Sequence, residues 1–471
     1  MNETHSLPPF GIKDKLGYLL GDLGNDFTFI LSSSFLLKFY TDVMHVSAGV
    51  VGIVMMLARF LDAFTDVTMG RICDRSKMTP VGKFKPWLLR TAAPVAVASF
   101  LIYQSAFADS PMWFRITWLA VTYILWGSVF YTSINIPYGS MASSISPLPE
   151  DRQSLSTFRS LGSTLAGVIV GAGIPLLTYD TRLVEGIKIT EMNGPRFTLI
   201  AGIFSALAIL SYVACYFLTT ERVRTVSSHR EKYSVLDMLR SAFKNRALIS
   251  IIVASVLMLL AQFTLQQMAN YVYPDYYSNT TAQSVSTFAM LIGMIIAASL
   301  AKPLVGRFGK AEISAVSSLI AAAISFLLFF VRPASVWVYV GFNFFAWLGL
   351  GVFTMVSWAI ITDVIDYSEI KNGIREDGSI YALYSFSRKL GQAAAAGLTG
   401  LLLSFIGYDK IAGVPLAQSV KDGIFNLSTI LPAIGFLLLA AVLWFWYPLN
   451  KKAVDKNVLI LEKRRERGEE K

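Results

Sequence analysis

The chain has 471 residues, 54% of them hydrophobic and only 15% charged, with a mean hydropathy of +0.54. That composition lies outside the range of soluble domains and describes a polytopic membrane protein. The net charge of +10 does not imply nucleic acid, because the basic residues cluster in 71–85, 222–246 and 451–471, where they can meet anionic inner-leaflet lipid.

The first twelve residues, MNETHSLPPFGI, have no apolar core and no cleavage site, so no removable signal peptide is expected. Runs of about 20 apolar residues then predict twelve spans, near 17–41, 47–70, 87–108, 113–140, 157–179, 197–219, 247–273, 283–304, 312–331, 336–363, 380–406 and 424–448. With both termini cytoplasmic, 8 of the 41 Lys and Arg lie within spans and 6 in external segments, leaving 27 in cytoplasmic ones. This asymmetry sets the orientation. Cys73, in a basic loop, and Cys215, in an apolar span, supply neither a disulfide framework nor a metal spacing. His5, His45 and His229 fall outside the spans, so no histidine relay crosses the membrane.

Span one contains LGDLGNDF, with Asp22 and Asp26 four residues apart on one helix face. Asp22 is expected near the cytoplasmic end as a solvated or lipid-interface charge. Lys38 and Asp42 are expected at the opposite interface, the lysine snorkelling to headgroups. Span two, VGIVMMLARFLDAFTDVTMG, carries Arg59, Asp62 and Asp66. Each charge at a bilayer centre costs roughly 2.5–3.5 kcal/mol on insertion scales, so three in one span need a reason. Asp62 and Asp66 share a face, and either a proton or a small cation with oxygen ligands would relieve their repulsion. A structural pair of Arg59 with one aspartate is the alternative, and it leaves the other unexplained.

In span five the planar fork of Arg159 suits vicinal hydroxyls or a carboxylate; a helix-end pair with Glu150 or Asp151 is the competing possibility. The only long interior polar segment, 220–246, separates two sets of six spans. The expected domains are therefore a six-helix bundle 1–219, a cytoplasmic linker 220–246, a second bundle 247–448 and a cytoplasmic tail 449–471. MGRICDRSK after span two and LVGRFGK after span eight form a weak internal echo. Two six-helix halves are the plan of major facilitator transporters, which makes the fold class all-α integral membrane. At the cytoplasmic end of span ten, Asp363, Asp366, Tyr367, Glu369, Lys371 and Arg375 are expected, with Asp74 and Arg75 of loop 2–3, to form gate ion pairs. In span eleven Arg388 and Lys389 point about 100° apart, and Gln392 is a polar neighbour of both. Among the aromatics, Tyr131, Tyr138 and Tyr384 lie beside the polar cluster and are candidate stacking platforms for a ligand.

Several stretches together resemble the glycoside-pentoside-hexuronide:cation symporters. They are ARFLDAFTDVTMGRICDRSKMTPVGKFKPW, YTSINIPYGS, TFRSLGSTLAG, ITDVIDYSEIKNGIREDGSIYALYSFSRKLGQ and LWFWYPLNKK. NIPYGS and the Ser-Phe-x-Arg-Lys stretch are similar to the glucuronide carriers, and the paired aspartates of span two to the melibiose permeases. The resemblance implies Asp26 as a sugar ligand, Asp62, Asp66 and Thr132 as the site for sodium or a proton, and Arg159 and Lys389 as substrate contacts. Asn135 stands where melibiose permeases have an aspartate, and Gly139 where they have a bulky aromatic, so the sugar should differ.

The function expected is cation-coupled import of a glycoside, a glucuronide above all, by alternating access, with no cofactor beyond the coupling cation. A neutral glycoside or oligosaccharide, or an uncoupled facilitator, is the alternative. One charge moved through about 100 mV supplies roughly 2.3 kcal/mol, or some 50-fold accumulation. No GxxxxGK[ST] loop is present for a nucleotide-driven pump. An enzyme of lipid-linked sugars would gather acids or histidines in interfacial loops, whereas here the unusual charges lie within helices. The expected partners are a small sugar conjugate and membrane lipid, with no nucleic acid, and the chain is expected to act as a monomer in a bacterial inner membrane.

Overall fold

A computed structural model describes residues 8–184, 186–223, 245–372 and 377–466. The predicted spans are all helical. In chain order they are α1 (Ile12–Ile30), continued through Leu31–Phe35 into α2 (Leu36–Asp42), then α3 (Ala48–Arg75), α4 (Lys85–Ile102), α5 (Met112–Ile124), α6 (Thr132–Ile145), α7 (Pro149–Leu177) and α8 (Gly194–Leu218). They continue with α9 (Arg246–Tyr271), α10 (Thr280–Phe308), α11 (Lys310–Val331), α12 (Val336–Asn372), α13 (Asp377–Phe405) and α14 (Gln418–Ala441), and α15 (Lys451–Glu466) follows as a polar helix. Nine described spans are long and apolar enough by themselves to cross a membrane. The spans built on α1, α4 and α13 do not reach that threshold, because basic, acidic or hydroxyl residues dilute them.

Local chemistry explains where helices begin. Asn193, Asn245 and Asn279 each accept a hydrogen bond from the backbone N–H three residues on, capping α8, α9 and α10. Pro149 occupies the first turn of α7, where its missing N–H costs nothing. Large apolar side chains face outward, among them Phe64, Phe217, Phe330 and Phe445, as befits a molecule whose solvent is lipid.

Two compact units result. One holds the described residues of 1–229 together with Gly400–Ala417; the other holds those of 230–399 and the chain from Gln418 onward. In the first unit α1 lies between α7 and α8, and α4 packs on α8. In the second, α9 and α11 both pack on α14, while α12 packs on α10 and α11. The core of the second unit includes Met258, Phe353, Ile360, Tyr384 and Phe436.

Three features were not legible beforehand. The spans contain π-helical stretches at Leu31–Phe35, Leu125–Tyr131, Val272–Tyr276 and Val442–Trp446. Between α7 and α8 lies an antiparallel hairpin, β1 (Tyr179–Val184) and β2 (Ile187–Met192). Asp180 on that hairpin accepts from the Asn193 amide at 2.8 Å and pairs with Arg196 at 3.0 Å, and these partners hold its carboxyl below the usual range. The segment Gly400–Ala417 meets the same unit: Lys410 donates to Thr190 O at 3.2 Å, and the Gly413 N–H to Glu191 at 2.5 Å.

Candidate functional site

The cation candidates lie where α3 meets the π-helical stretch Leu125–Tyr131. Widening the helix there turns Ser128 and Thr132 toward α3, a use of π geometry common at functional sites. Ser128 Oγ donates to Asp62 Oδ1 at 2.5 Å, and Thr132 Oγ1 to Asp66 Oδ1 at 2.8 Å. Arg59 Nη1 lies 3.4 Å from Asp62 Oδ2, its guanidinium set over Phe29 at 4.9 Å, Trp126 at 5.9 Å and Tyr123 at 6.0 Å. Two carboxylates and two hydroxyls therefore face one another, with the charge of Arg59 committed to Asp62. Oxygen donors of this kind suit a hard cation such as sodium or a proton. Among the described residues no three His, Cys, Asp or Glu gather to hold a metal. Ser128 was absent from the expected set, because its orientation depends on a helical irregularity that spacing does not reveal.

The sugar candidates of the first unit form a ladder between α1 and α7. Asp22 and Asp26 are four apart on α1, and Arg159 and Ser163 are four apart on α7. Arg159 Nε donates to Asp22 Oδ1 at 2.9 Å, and Ser163 Oγ donates to Asp26 Oδ2. Gly162 permits this approach, since a Cβ there would stand 2.3 Å from Leu19 O. Asp22 is thus no interface charge: its side chain is 7% exposed and paired, whereas that of Arg159 remains 41% exposed. Nor does Arg159 pair with Glu150 or Asp151; Asp151 accepts from Ser146 at 2.5 Å instead.

Around this ladder, Asn135 on α6 is half-buried. A Cβ on Gly139 would meet only Arg159 Nη1, at 3.8 Å, so open space adjoins the guanidinium. Tyr138 does not offer a stacking face. It is fully buried, stacked on Tyr18 at 4.6 Å with its hydroxyl donating to Tyr18 O, and it carries the Arg159 guanidinium 5.4 Å above its ring. Tyr384 is likewise enclosed, edge-on to Trp358. Tyr131 stacks on Phe29.

In the second unit Arg388, Lys389 and Gln392 lie half-buried on α13. The Arg388 guanidinium sits 5.7 Å from the Trp358 ring and 6.0 Å from that of Tyr384. The gate residues are distributed otherwise than expected. Asp74 and Arg75 belong to the last turn of α3 and are exposed, not loop residues. Cys73 is buried in that same turn. Asp363 pairs at 2.6 Å with Lys310 of its own unit, a partner the sequence had not singled out. Asp366 is half-buried, and Arg375 lies outside the described residues. Lys38 does not snorkel: it is fully buried, 2.8 Å from Asp42 and 2.7 Å from the Tyr408 hydroxyl.

Comparison with known proteins agrees with this fold. A bacterial homologue of the human lysosomal transporter Spinster superposes with a TM-score of 0.66 at 12% identity, covering 95% of this chain and 97% of that one. The glucuronide carrier protein homolog of Escherichia coli (strain K12) is 30% identical over 96% of this chain and 95% of its own length. A Salmonella typhimurium (strain LT2) protein carrying the provisional name of 2,3-dihydroxypropane-1-sulfonate exporter is 31% identical over 99% of both. Residues 17–451 match the profile described as MFS/sugar transport protein. The chain is a multi-pass membrane transporter with the major facilitator fold, not an enzyme, and it belongs to the MFS/sugar transport protein family, that of the glycoside-pentoside-hexuronide:cation symporters.

Proposed function

We propose that this transporter couples a cation, sodium or a proton, to the import of an anionic sugar conjugate, most concretely a β-glucuronide, by alternating access. The observation that carries coupling is the pair of carboxylates on α3, each bridged by its own hydroxyl. Cation binding there neutralises charge whose burial is costly, which favours the conformational change only when the site is filled. Asp26, Asn135 and Arg159, and on α13 Arg388, Lys389 and Gln392, contact the substrate. Positive side chains thus outnumber the single acid among these six, and a carboxylate or sulfonate on the sugar satisfies them with charge-assisted hydrogen bonds. The relatives named for a glucuronide and a sulfonate support an anion. Asp74, Arg75, Asp363 and Asp366 act at the gate, and both termini face the cytoplasm of a bacterial inner membrane.

The test is uptake of a radiolabelled β-glucuronide into proteoliposomes, with an imposed sodium gradient, an imposed proton gradient, or neither. Accumulation above the external concentration under one gradient is expected. Equilibration alone under all three conditions would make this an uncoupled facilitator, and preference for the matched glucoside would replace the anionic substrate with a neutral one.

A further inference from the structure

Arg59 of α3 sits in a housing of rings drawn from other spans of its own unit. Its guanidinium lies 4.9 Å from the centre of the Phe29 ring on α1, 6.0 Å from that of Tyr123 on α5 and 5.9 Å from that of Trp126 in the π-helical stretch. The rings support one another: Tyr123 stacks on Trp126 at 5.7 Å, Trp126 meets Tyr131 at 5.3 Å, and Tyr131 stacks on Phe29 at 5.7 Å. Trp126 and Tyr123 are buried, so close packing denies them room to swing away. A guanidinium beside a ring face is attracted by the ring quadrupole, most strongly where water is excluded. Here three rings share one cation.

The ion pair that this cation makes is a loose one. Arg59 Nη1 stands 3.4 Å from Asp62 Oδ2. Other enclosed carboxylates hold their cations closely: Lys38 to Asp42 and Arg222 to Asp14 at 2.8 Å, Arg159 to Asp22 at 2.9 Å, and Lys310 to Asp363 at 2.6 Å. Arg159 also lies over a ring, that of Tyr138 at 5.4 Å, and still closes on its acid. One ring therefore does not hold a guanidinium off, and Arg59 has three. The stretch that carries Trp126 and Tyr131 also turns Ser128 onto Asp62 Oδ1, and a Cβ on Gly127 would stand only 3.4 Å from that oxygen. Asp62 thus has a close donor on one oxygen and a restrained charge opposite the other.

We propose that Phe29, Tyr123 and Trp126 form a clamp that holds Arg59 back from Asp62 and so sets the affinity of the α3 site for sodium. This rests on the reading above that Asp62 and Asp66 bind the coupling cation. Arg59 is a tethered competitor for the carboxylate. At an ordinary charge-assisted distance of about 2.8 Å it would satisfy Asp62 Oδ2 and exclude a metal ion from it, whereas the clamped guanidinium leaves a lone pair of that oxygen to the ion. Sodium is the ion concerned because the two carboxylates, the hydroxyls of Ser128 and Thr132, and the Gly127 carbonyl that Thr132 reaches at 3.2 Å offer the several oxygens that a metal ion uses and a proton does not. The three rings are positioning residues, acting through Arg59.

Isothermal titration of sodium chloride into the purified full-length protein, with ionic strength held constant by choline chloride, reads the affinity without sugar or transport. Trp126→Leu should weaken sodium about tenfold, because the freed arginine closes on Asp62, and Phe29→Leu should act in the same direction. Arg59→Gln removes the competitor and should tighten sodium. Adding Trp126→Leu to Arg59→Gln should change nothing further. An affinity unchanged in Trp126→Leu overturns the proposal, and so does a loss that persists undiminished in the Arg59→Gln background, since the rings then act through packing alone. Should Trp126→Leu fail to fold, Phe29→Leu decides in its place; if neither folds, the rings are structural and the proposal fails. A wild type that binds no sodium also overturns the clamp and leaves proton coupling standing, whereas sodium binding without gradient-driven accumulation overturns coupling and leaves the clamp standing.

Discussion

A side chain in this protein is defined by the partner it is given. Asp62 and Asp66 are one helical turn apart, yet Asp62 takes both Arg59 and Ser128, whereas the hydroxyl recorded on Asp66 is that of Thr132. Asp62 is thus the carboxylate to which Arg59 is paired. Asp66→Asn should abolish gradient-driven accumulation while exchange of internal for external sugar survives, because the amide keeps the shape and discards the charge. Asp62→Asn should abolish accumulation too. It should also lower thermal stability, since it leaves the half-buried Arg59 among aromatic rings without its acid. Counterflow and a melting curve on the same preparations check both outcomes. Undiminished accumulation in the two variants would remove these aspartates from coupling.

Lipid supplies no hydrophobic drive between helices, so the seams are made by small residues and hydrogen bonds. Gly17, Gly21 and Gly24 turn one face of α1 to Leu218, Cys215 and Ala208 of α8, with the Tyr138 ring beside Gly21. The other face brings Leu19 and Leu23 against Gly162 of α7. The Asp22–Arg159 and Asp26–Ser163 rungs depend on that second approach. Gly162→Ala forces the helices apart and should cost about 1–3 kcal/mol, as overpacking does. Sugar affinity should fall along with the melting temperature, because both rungs lengthen together. Intact affinity in a destabilised Gly162→Ala protein would show that the ladder does not hold the sugar site. Helix existence and rough limits were readable from hydropathy. The π-helical stretches were not, because a π turn is selected by tertiary contacts such as Ser128 with Asp62 and leaves no periodic signature.

At the scale of the whole molecule, topology follows from where lysine and arginine are tolerated during insertion. With Cys73 and Cys215 removed, single cysteines at Thr181 on β1 and at Asn279 should react with an impermeant maleimide outside intact cells, and one at exposed Lys77 should not. External labelling at Lys77 would invert the proposed orientation. The docking of Gly400–Ala417 on the first unit cuts across the plan of two sequential halves. Lys410, Gly413 and Tyr408 secure it there through Thr190, Glu191 and Lys38. Nothing in the local sequence marks a loop that follows one span as belonging to a distant set of helices.

Hydropathy was enough to establish the helical spans and spacing along one helix to put Asp62 and Asp66 on one face, because these depend on one-dimensional patterns; the family, and Thr132 on a different span as a partner of the aspartates, came only from the resemblance of whole motifs. Pairing was decided only in three dimensions. Asp22 looked like an interface charge until α7 brought Arg159 to it. Lys38 looked like a snorkelling lysine until Asp42 and Tyr408 enclosed it. Tyr138 looked like a sugar platform until Tyr18 covered it. In each case a group costly to bury alone became affordable beside a partner far away in sequence, so its fate was set by helix packing and not by its own segment.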